Sequence, residues 1–236
     1  MEPQRQRALE IGQNAIIRAI QQHREPYRVT IKNVEWTMFP EVLNPNYGVA
    51  GLLLLDNLGV RPSDVVLDPF TGSGIDAIFA VREGAARAVA IDKHEMPYLC
   101  TRFNTYRLGV QDRVDVRKGD LFDALRPDEK FSLVVANPPF NFERPQSALE
   151  EAFTEDGYKT LRRFFSGIGR YLTHDGRMRI VFAEVGDMTL FHQLARDNGF
   201  VTETIARSTY GGDVGVEVYE MTTPQSPAVV SDRLVR

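Results

Sequence analysis

Near the start of the chain Leu9, Ala15, Ile16, Ala19 and Ile20 recur at helical spacing, so residues 5 to about 22 predict a helix that Pro26 ends. The segment YRVTIKNVEW alternates and is rich in β-branched and aromatic residues, which predicts a strand. A turn-rich connector, TMFPEVLNPNYG, then leads into VAGLLLLDNLGV, a buried helix stopped by Gly59. From there apolar runs and helical stripes alternate. DVVLD is a strand and GIDAIFAVREG a helix; RAVAID is a strand and MPYLCTRFNTYRLG a helix; RVDVRKGD and FSLVVA are strands. GYKTLRRFFSGIGRYL follows as a helix, RMRIVFAE as a strand and DMTLFHQLARDNG as a helix. FVTETIARSTYGGDVGVEVYEM closes the series as two strands joined by a Gly-Gly turn.

Strands alternating with helices predict an α/β, doubly wound parallel sheet, with antiparallel character added at one edge by the closing hairpin. The organisation expected is an N-terminal helix and strand extension (1–45), a large domain (46–222) and a flexible tail (223–236).

Composition narrows the class. Of the 236 residues 43% are hydrophobic and 25% charged, enough for a substantial core on a soluble chain. The single cysteine, Cys100, forms no internal disulfide, and the opening segment lacks the apolar core of a signal peptide; both fit a cytoplasmic protein. The longest aliphatic run is too short for a membrane span. His23, His94, His174 and His192 show no metal-ligand spacing, so no metal is expected. A net charge of −4 gives no global pull toward nucleic acid, although Arg5, Arg7, Arg18 and Arg24 form a local basic cluster.

The candidate chemistry lies at strand ends, where ligands sit in open α/β sheets. The first strand of the alternation runs into LDPFTGSGIDA, in which Gly72 and Gly74 allow a sharp turn and close approach to a ligand. Asp92, after the next strand, is placed to accept from both hydroxyls of a ribose, and Asp120, after the third, from the exocyclic amine of an adenine. The loop GSGIDA satisfies the loose dinucleotide pattern. Asp68 sits just before it, however, and a carboxylate there opposes a pyrophosphate but welcomes the α-amino group and sulfonium of S-adenosylmethionine. The residues expected at this cofactor are Asp68, Pro69, Phe70, Thr71, Gly72, Ser73, Gly74, Asp92, Lys93, Asp120, Leu121 and Asn137.

The fourth strand ends in NPPF, residues 137–140. Its prolines hold the segment extended, with carbonyls outside any ladder. The side-chain oxygen of Asn137 and the carbonyl of Pro138 can then accept the two hydrogens of one planar –NH₂ group. That favours the tetrahedral, lone-pair-localised geometry such a nitrogen needs to attack a methyl group. Pro139 stiffens the segment, and Phe140 can stack on the planar acceptor. These four residues are the expected catalytic set.

The residues resemble the class I S-adenosylmethionine-dependent methyltransferases, in the amino- and amide-nitrogen branch marked by (N/D)PP(F/Y). Within it they are most like the release-factor glutamine methyltransferase type, through FPEVLNP, NPPF, DGYKTLRRFF and AEVG. The resemblance implies a seven-stranded sheet with the last strand antiparallel, and the cofactor over the strands' carboxyl ends. Three features depart from that type: NPPF stands for its usual NPPY, DPFTGSG is closer to the DNA and RNA amino-methyltransferases, and its separate helical N-terminal domain is expected here only as one helix and a strand or two. The function expected is N-methyl transfer to a protein glutamine or to an amide or amine of a small molecule. Methylation of an RNA or DNA base is the alternative, and a non-catalytic cofactor-fold subunit a second one. Trp36 and Phe39 are expected to pack rather than stack on a base, Tyr47 is a candidate for the pocket border, and NFERPQSALEEAFTEDG is long enough for a lid. Its acidic residues Glu150, Glu151, Glu155 and Asp156 read as a solvated face.

Overall fold

The computed structural model describes residues 3–141, 144–210 and 214–224, with side chains from residue 12 onward. The Gly211–Gly212 turn and nearly all of the 223–236 tail lie outside the described residues.

Helix α1 (Pro3–Gln21) is followed by two strands, β1 (Tyr27–Ile31) and β2 (Val34–Met38), where the sequence predicts one. They pair antiparallel, with Ile31 opposite Val34. Lys32 and Asn33 between them have φ of 48° and 61°. Positive φ at both central residues is the two-residue hairpin turn whose twist matches that of the strands, and the lysine disguises it in the sequence. The next helix, α2 (Val49–Leu55), is shorter than expected. It ends at Asp56, before Gly59, whose φ of 64° belongs to the following turn.

The alternation then runs β3 (Val65–Asp68), α3 (Ile75–Arg82), β4 (Arg87–Asp92), α4 (Glu95–Arg107), β5 (Val114–Lys118) and β6 (Phe131–Ala136). After these come α5 (Lys159–Ile168), β7 (Leu172–Ala183), α6 (Met188–Asp197), β8 (Val201–Tyr210) and β9 (Val214–Thr222). The seven strands β3 to β9 form one sheet in the order β5-β4-β3-β6-β7-β9-β8. All neighbours are parallel except β9, which is antiparallel to both β7 and β8. The doubly wound sheet with an antiparallel last strand is therefore present. The closing hairpin β8–β9 lies at one edge and brings the antiparallel pairing there, as expected, with β9 inserted between β7 and β8.

Each face of the sheet has its own core. Leu54, Leu55, Ile78 and Val81 pack on one side with Trp36 and Met38 of the hairpin. Phe164, Phe165, Ile168 and Phe191 fill the other. Trp36 is fully buried and stacks on Phe79 at 5.5 Å, and Phe39 meets Phe103 at 5.5 Å, so both aromatics pack as expected.

At the amino ends of the central strands lies a buried ion pair. Arg177 Nη2 is 2.7 Å from Asp64 Oδ2, with the side chains 2% and 5% exposed. Ser132 Oγ donates to Asp64 Oδ1 at 2.7 Å, and the Arg61 N–H donates to Oδ2 at 2.7 Å. Burial alone would raise the Asp64 carboxyl, but Arg177, Ser132 and the Arg61 amide hold it below the usual range.

Candidate active site

The chain builds β3, β4 and β5 outward, then returns to lay β6 on the other side of β3. That reversal opens a crevice beyond the carboxyl ends of β3 and β6. The register Val66–Leu133 and Leu67–Val134 sets the glycine loop beside NPPF. A cavity of about 370 Å³ lies there, lined among others by Phe70, Thr71, Gly72, Ser73, Asn137 and Phe140. Those six predicted residues are thus brought together. Asp68, Pro69, Gly74, Asp92, Lys93, Asp120, Leu121, Pro138 and Pro139 are not among its lining residues.

Asp68 works from behind. It is 1% exposed and accepts from Thr71 Oγ1 at 2.7 Å, which fixes the first turn of the loop. Burial pushes its carboxyl up to about 7, against the hydrogen bonds from Thr71 and from the Phe70 and Ala77 amides. Repulsion from Asp92 adds to the rise. A carboxyl whose pKa is higher in the folded than in the unfolded state stabilises the fold at low pH and loses that contribution as pH rises through its native value. Urea unfolding at pH 5 and pH 8 should therefore show Asp68→Asn gaining stability relative to wild type at the higher pH. An unchanged difference would assign the carboxyl no such titration.

The glycine loop is shaped by α4 as well. Gly72 has φ 55°, and a Cβ added to it would meet nothing within 4 Å, so its open side is available to a ligand. Gly74 has φ 84°, and a Cβ there would come 2.7 Å from Thr101 Cγ2. Thr101 Oγ1 donates to the Gly72 carbonyl at 3.0 Å. Asn104, fully buried, donates to the Ser73 carbonyl at 3.1 Å and to the Thr37 carbonyl at 3.0 Å, and accepts from the Thr37 N–H at 3.1 Å. One amide thus ties the loop to β2, a role the sequence reading missed.

Asp92 stands at the end of β4, its oxygens accepting from the Gly72 and His94 N–H groups at 3.0 Å each. Lys93 pairs with Glu151, which also lies 3.2 Å from His94 Nε2. Asp120 is paired with Arg163 at 2.5 Å, while Leu121 beside it is buried with φ 53°. The predicted ribose and adenine carboxylates therefore flank the carboxyl ends of β4 and β5, each already engaged by the protein.

NPPF is clamped. Tyr158, just before α5, donates its hydroxyl to the Phe140 carbonyl at 3.0 Å and accepts from the Asp187 N–H at 2.9 Å. The Phe140 ring meets Phe182 edge-on at 5.8 Å and still lines the cavity. Tyr158 has φ 54° after Gly157 at 71°; that glycine–aromatic pair was the available signal.

The remaining walls come from distant segments. Asn44 and Pro45, together with Gln13 and Ile16 of α1, line one side, and Val185, Tyr210 and Val214 another. Ala152 and Phe153 of the expected lid border the cavity too. The ends of this segment are pinned by the Asn141 N–H to the Phe153 carbonyl and the Glu155 N–H to the Asn141 carbonyl, both 2.9 Å. Glu155 is buried rather than solvated, because its carboxylate accepts from the Thr160 and Leu161 amides at the start of α5. Tyr47 is not a lining residue; its hydroxyl lies 3.2 Å from His23 Nε2. Of the basic cluster, Arg18 and Arg24 are exposed, and the side chains of Arg5 and Arg7 lie outside the described residues.

The chain is similar to known methyltransferases. The model of the methyltransferase small domain matches residues 47–207. The release factor glutamine methyltransferase of Rhodopirellula baltica is 29% identical over 131 residues, covering 55% of this chain and 44% of that protein. The ribosomal protein uL3 glutamine methyltransferase of Bordetella pertussis is 30% identical over 131 residues, covering 51% and 43%. The matches thus span less than half the length of these relatives. A T. thermophilus 16S rRNA N2 methyltransferase, solved with AdoMet and guanosine, shares the fold with a TM-score of 0.61 at 20% identity, over 84% of this chain and 50% of that one.

Proposed function

From the premise that the chain belongs to the methyltransferase small domain family, and has the class I S-adenosylmethionine-dependent fold, we propose that it methylates a planar amide or amino nitrogen of a protein glutamine or a small molecule. The observation that carries this reading is the adjacency of the open glycine loop and NPPF in one cavity. S-adenosylmethionine supplies an electrophilic methyl group on a cationic sulfur. The residues fit it: the Gly72 face is open, and no Lys, Arg or His is among the described lining residues to meet a pyrophosphate. The loop Phe70–Gly74 would hold its methionyl part, Asp92 the ribose, and Asp120 with Leu121 the adenine side.

Asn137 and the Pro138 carbonyl accept the acceptor's two N–H hydrogens, and Phe140 covers its plane. With the methyl donor bound, formation of the nitrogen–methyl bond would be matched by loss of the carbon–sulfur bond, and the nitrogen held by Asn137 and the Pro138 carbonyl would shed its proton to solvent after becoming cationic. No strong base is required.

Calorimetry tests the cofactor half. Asp92→Ala should weaken S-adenosylmethionine binding by about 1.5–3 kcal/mol, the scale of a hydrogen bond to a charged group. Unchanged affinity would remove Asp92 from the ribose. Transfer of labelled methyl to release-factor and ribosomal proteins, set against transfer to RNA, tests the acceptor half. Tight RNA binding with a steep salt slope would favour a nucleic acid base instead.

A further inference from the structure

We propose that Gly51 is a specificity-determining residue. The side chain it lacks leaves open the space beside Asn137 into which the acceptor's nitrogen-bearing group fits, and a larger residue there narrows the choice of acceptor without touching the cofactor. The inference rests on the methyltransferase reading of the same cavity.

Gly51 is the third residue of α2, between Ala50 and Leu52. Glycine is a poor helix former, because it gives up more backbone freedom on folding than any other residue. Two structural demands can hold one in a helix, and neither applies here. Gly51 is not among the glycines with positive φ, so its backbone suits any residue. Nor is it crowded: a Cβ added to it would stand 3.4 Å from Pro45 Cβ, 3.8 Å from Pro45 Cα and 3.8 Å from Asn137 Nδ2, all ordinary van der Waals separations. The fold therefore tolerates alanine at this position, and alanine would strengthen the helix.

What the absent side chain does is seen in the cavity. Gly51 lines it together with Asn137, and its open side faces the Asn137 amide. Pro45, Val49 and Ala50 continue the wall, whereas Asp92 and Asp120, expected at the ribose and adenine, are not lining residues. Gly51 thus borders the part of the cavity that receives the acceptor. An acceptor nitrogen hydrogen-bonded to Asn137 lies about 3 Å from it. A methyl group 3.8 Å from the same amide competes for that space with whatever carries the nitrogen.

The test uses a cofactor analogue, so the acceptor need not be known. An S-adenosyl sulfonium with allyl in place of methyl puts its extra carbons where the acceptor nitrogen arrives, in line with the carbon–sulfur bond. S-adenosylhomocysteine, with no group there, is the control. Calorimetry on the full chain should show wild type binding both. Gly51→Ala should weaken the allyl analogue about threefold and Gly51→Val about tenfold, the scale of overpacking a filled site. Both variants should bind S-adenosylhomocysteine as wild type does, and Gly51→Ala should melt about 1–3 °C higher. A lower melting point for Gly51→Ala would make the glycine a packing requirement and overturn the proposal. So would equal loss of both ligands, unchanged binding of the allyl analogue by Gly51→Val, or its rejection by wild type. Absence of S-adenosylhomocysteine binding in wild type would overturn the methyltransferase reading first.

Discussion

Asn137→Ala is expected to cut turnover by roughly 10²–10³ while leaving S-adenosylmethionine affinity within a few-fold of wild type. The asymmetry follows from where the residue stands. Its amide projects from the end of β6 into the cavity, beside the glycine loop but not part of it. In the mechanism we propose, cofactor affinity comes from the loop and the acidic residues, whereas Asn137 acts on the acceptor nitrogen as it becomes tetrahedral. An acceptor held rigid by two prolines and by the Tyr158 clamp has little reorganising to do at that moment, which is why its loss falls on kcat. Asn137→Asp should be milder, because a carboxylate still accepts a hydrogen bond. Phe140→Tyr should be nearly silent, and Phe140→Ala should raise KM for the acceptor. Stopped-flow binding with single-turnover methyl transfer separates the two quantities. Normal turnover by Asn137→Ala would reduce NPPF to a stiff turn.

The largest effect on stability is expected at the other end of the strands. Asp64→Ala should cost about 3–5 kcal/mol, the range for stranding one partner of a buried ion pair. Arg177 is 2% exposed and has no water to fall back on. The double variant Asp64→Leu with Arg177→Met should recover much of this, since an apolar pair of similar volume removes both desolvation costs. The pH dependence has a fixed sign. The Asp64 carboxyl sits below its usual range, so its contribution is present above roughly pH 4 and lost as pH falls through the native value. Urea unfolding of wild type and Asp64→Ala should accordingly converge in acid. A cost under about 1 kcal/mol at pH 7 would mean that the pair is solvated and contributes as a surface bridge does.

The site was legible where function is written in neighbouring residues. LDPFTGSG and NPPF each carry a strand, a stop and their polar groups within a few positions, and strand alternation is enough to bring them together. What the sequence hid are partners far apart along the chain. Asn104 meets Thr37 across 67 residues, and Arg177 meets Asp64 across 113. Neither pairing leaves a local pattern, because side-chain complementarity between distant segments has no period. Lys32 and Asn33 were hidden for another reason: a lysine at positive φ violates local preference, and the hairpin's pairing with the body of the protein outweighs it. Glu155 looked like surface because its partners are backbone amides, which no sequence displays.

The Tyr158 hydroxyl joins the loop after β6 to the loop after β7. The peptide N–H of Asp187 therefore reports on NPPF from outside the cavity, through a single oxygen. In a nitrogen-15 spectrum its resonance becomes a natural gauge of acceptor occupancy. Any molecule that displaces the Phe140 carbonyl must repolarise that hydroxyl and shift the Asp187 signal. Screening for the acceptor can thus proceed by watching one amide, before the chemistry of methyl transfer is ever assayed.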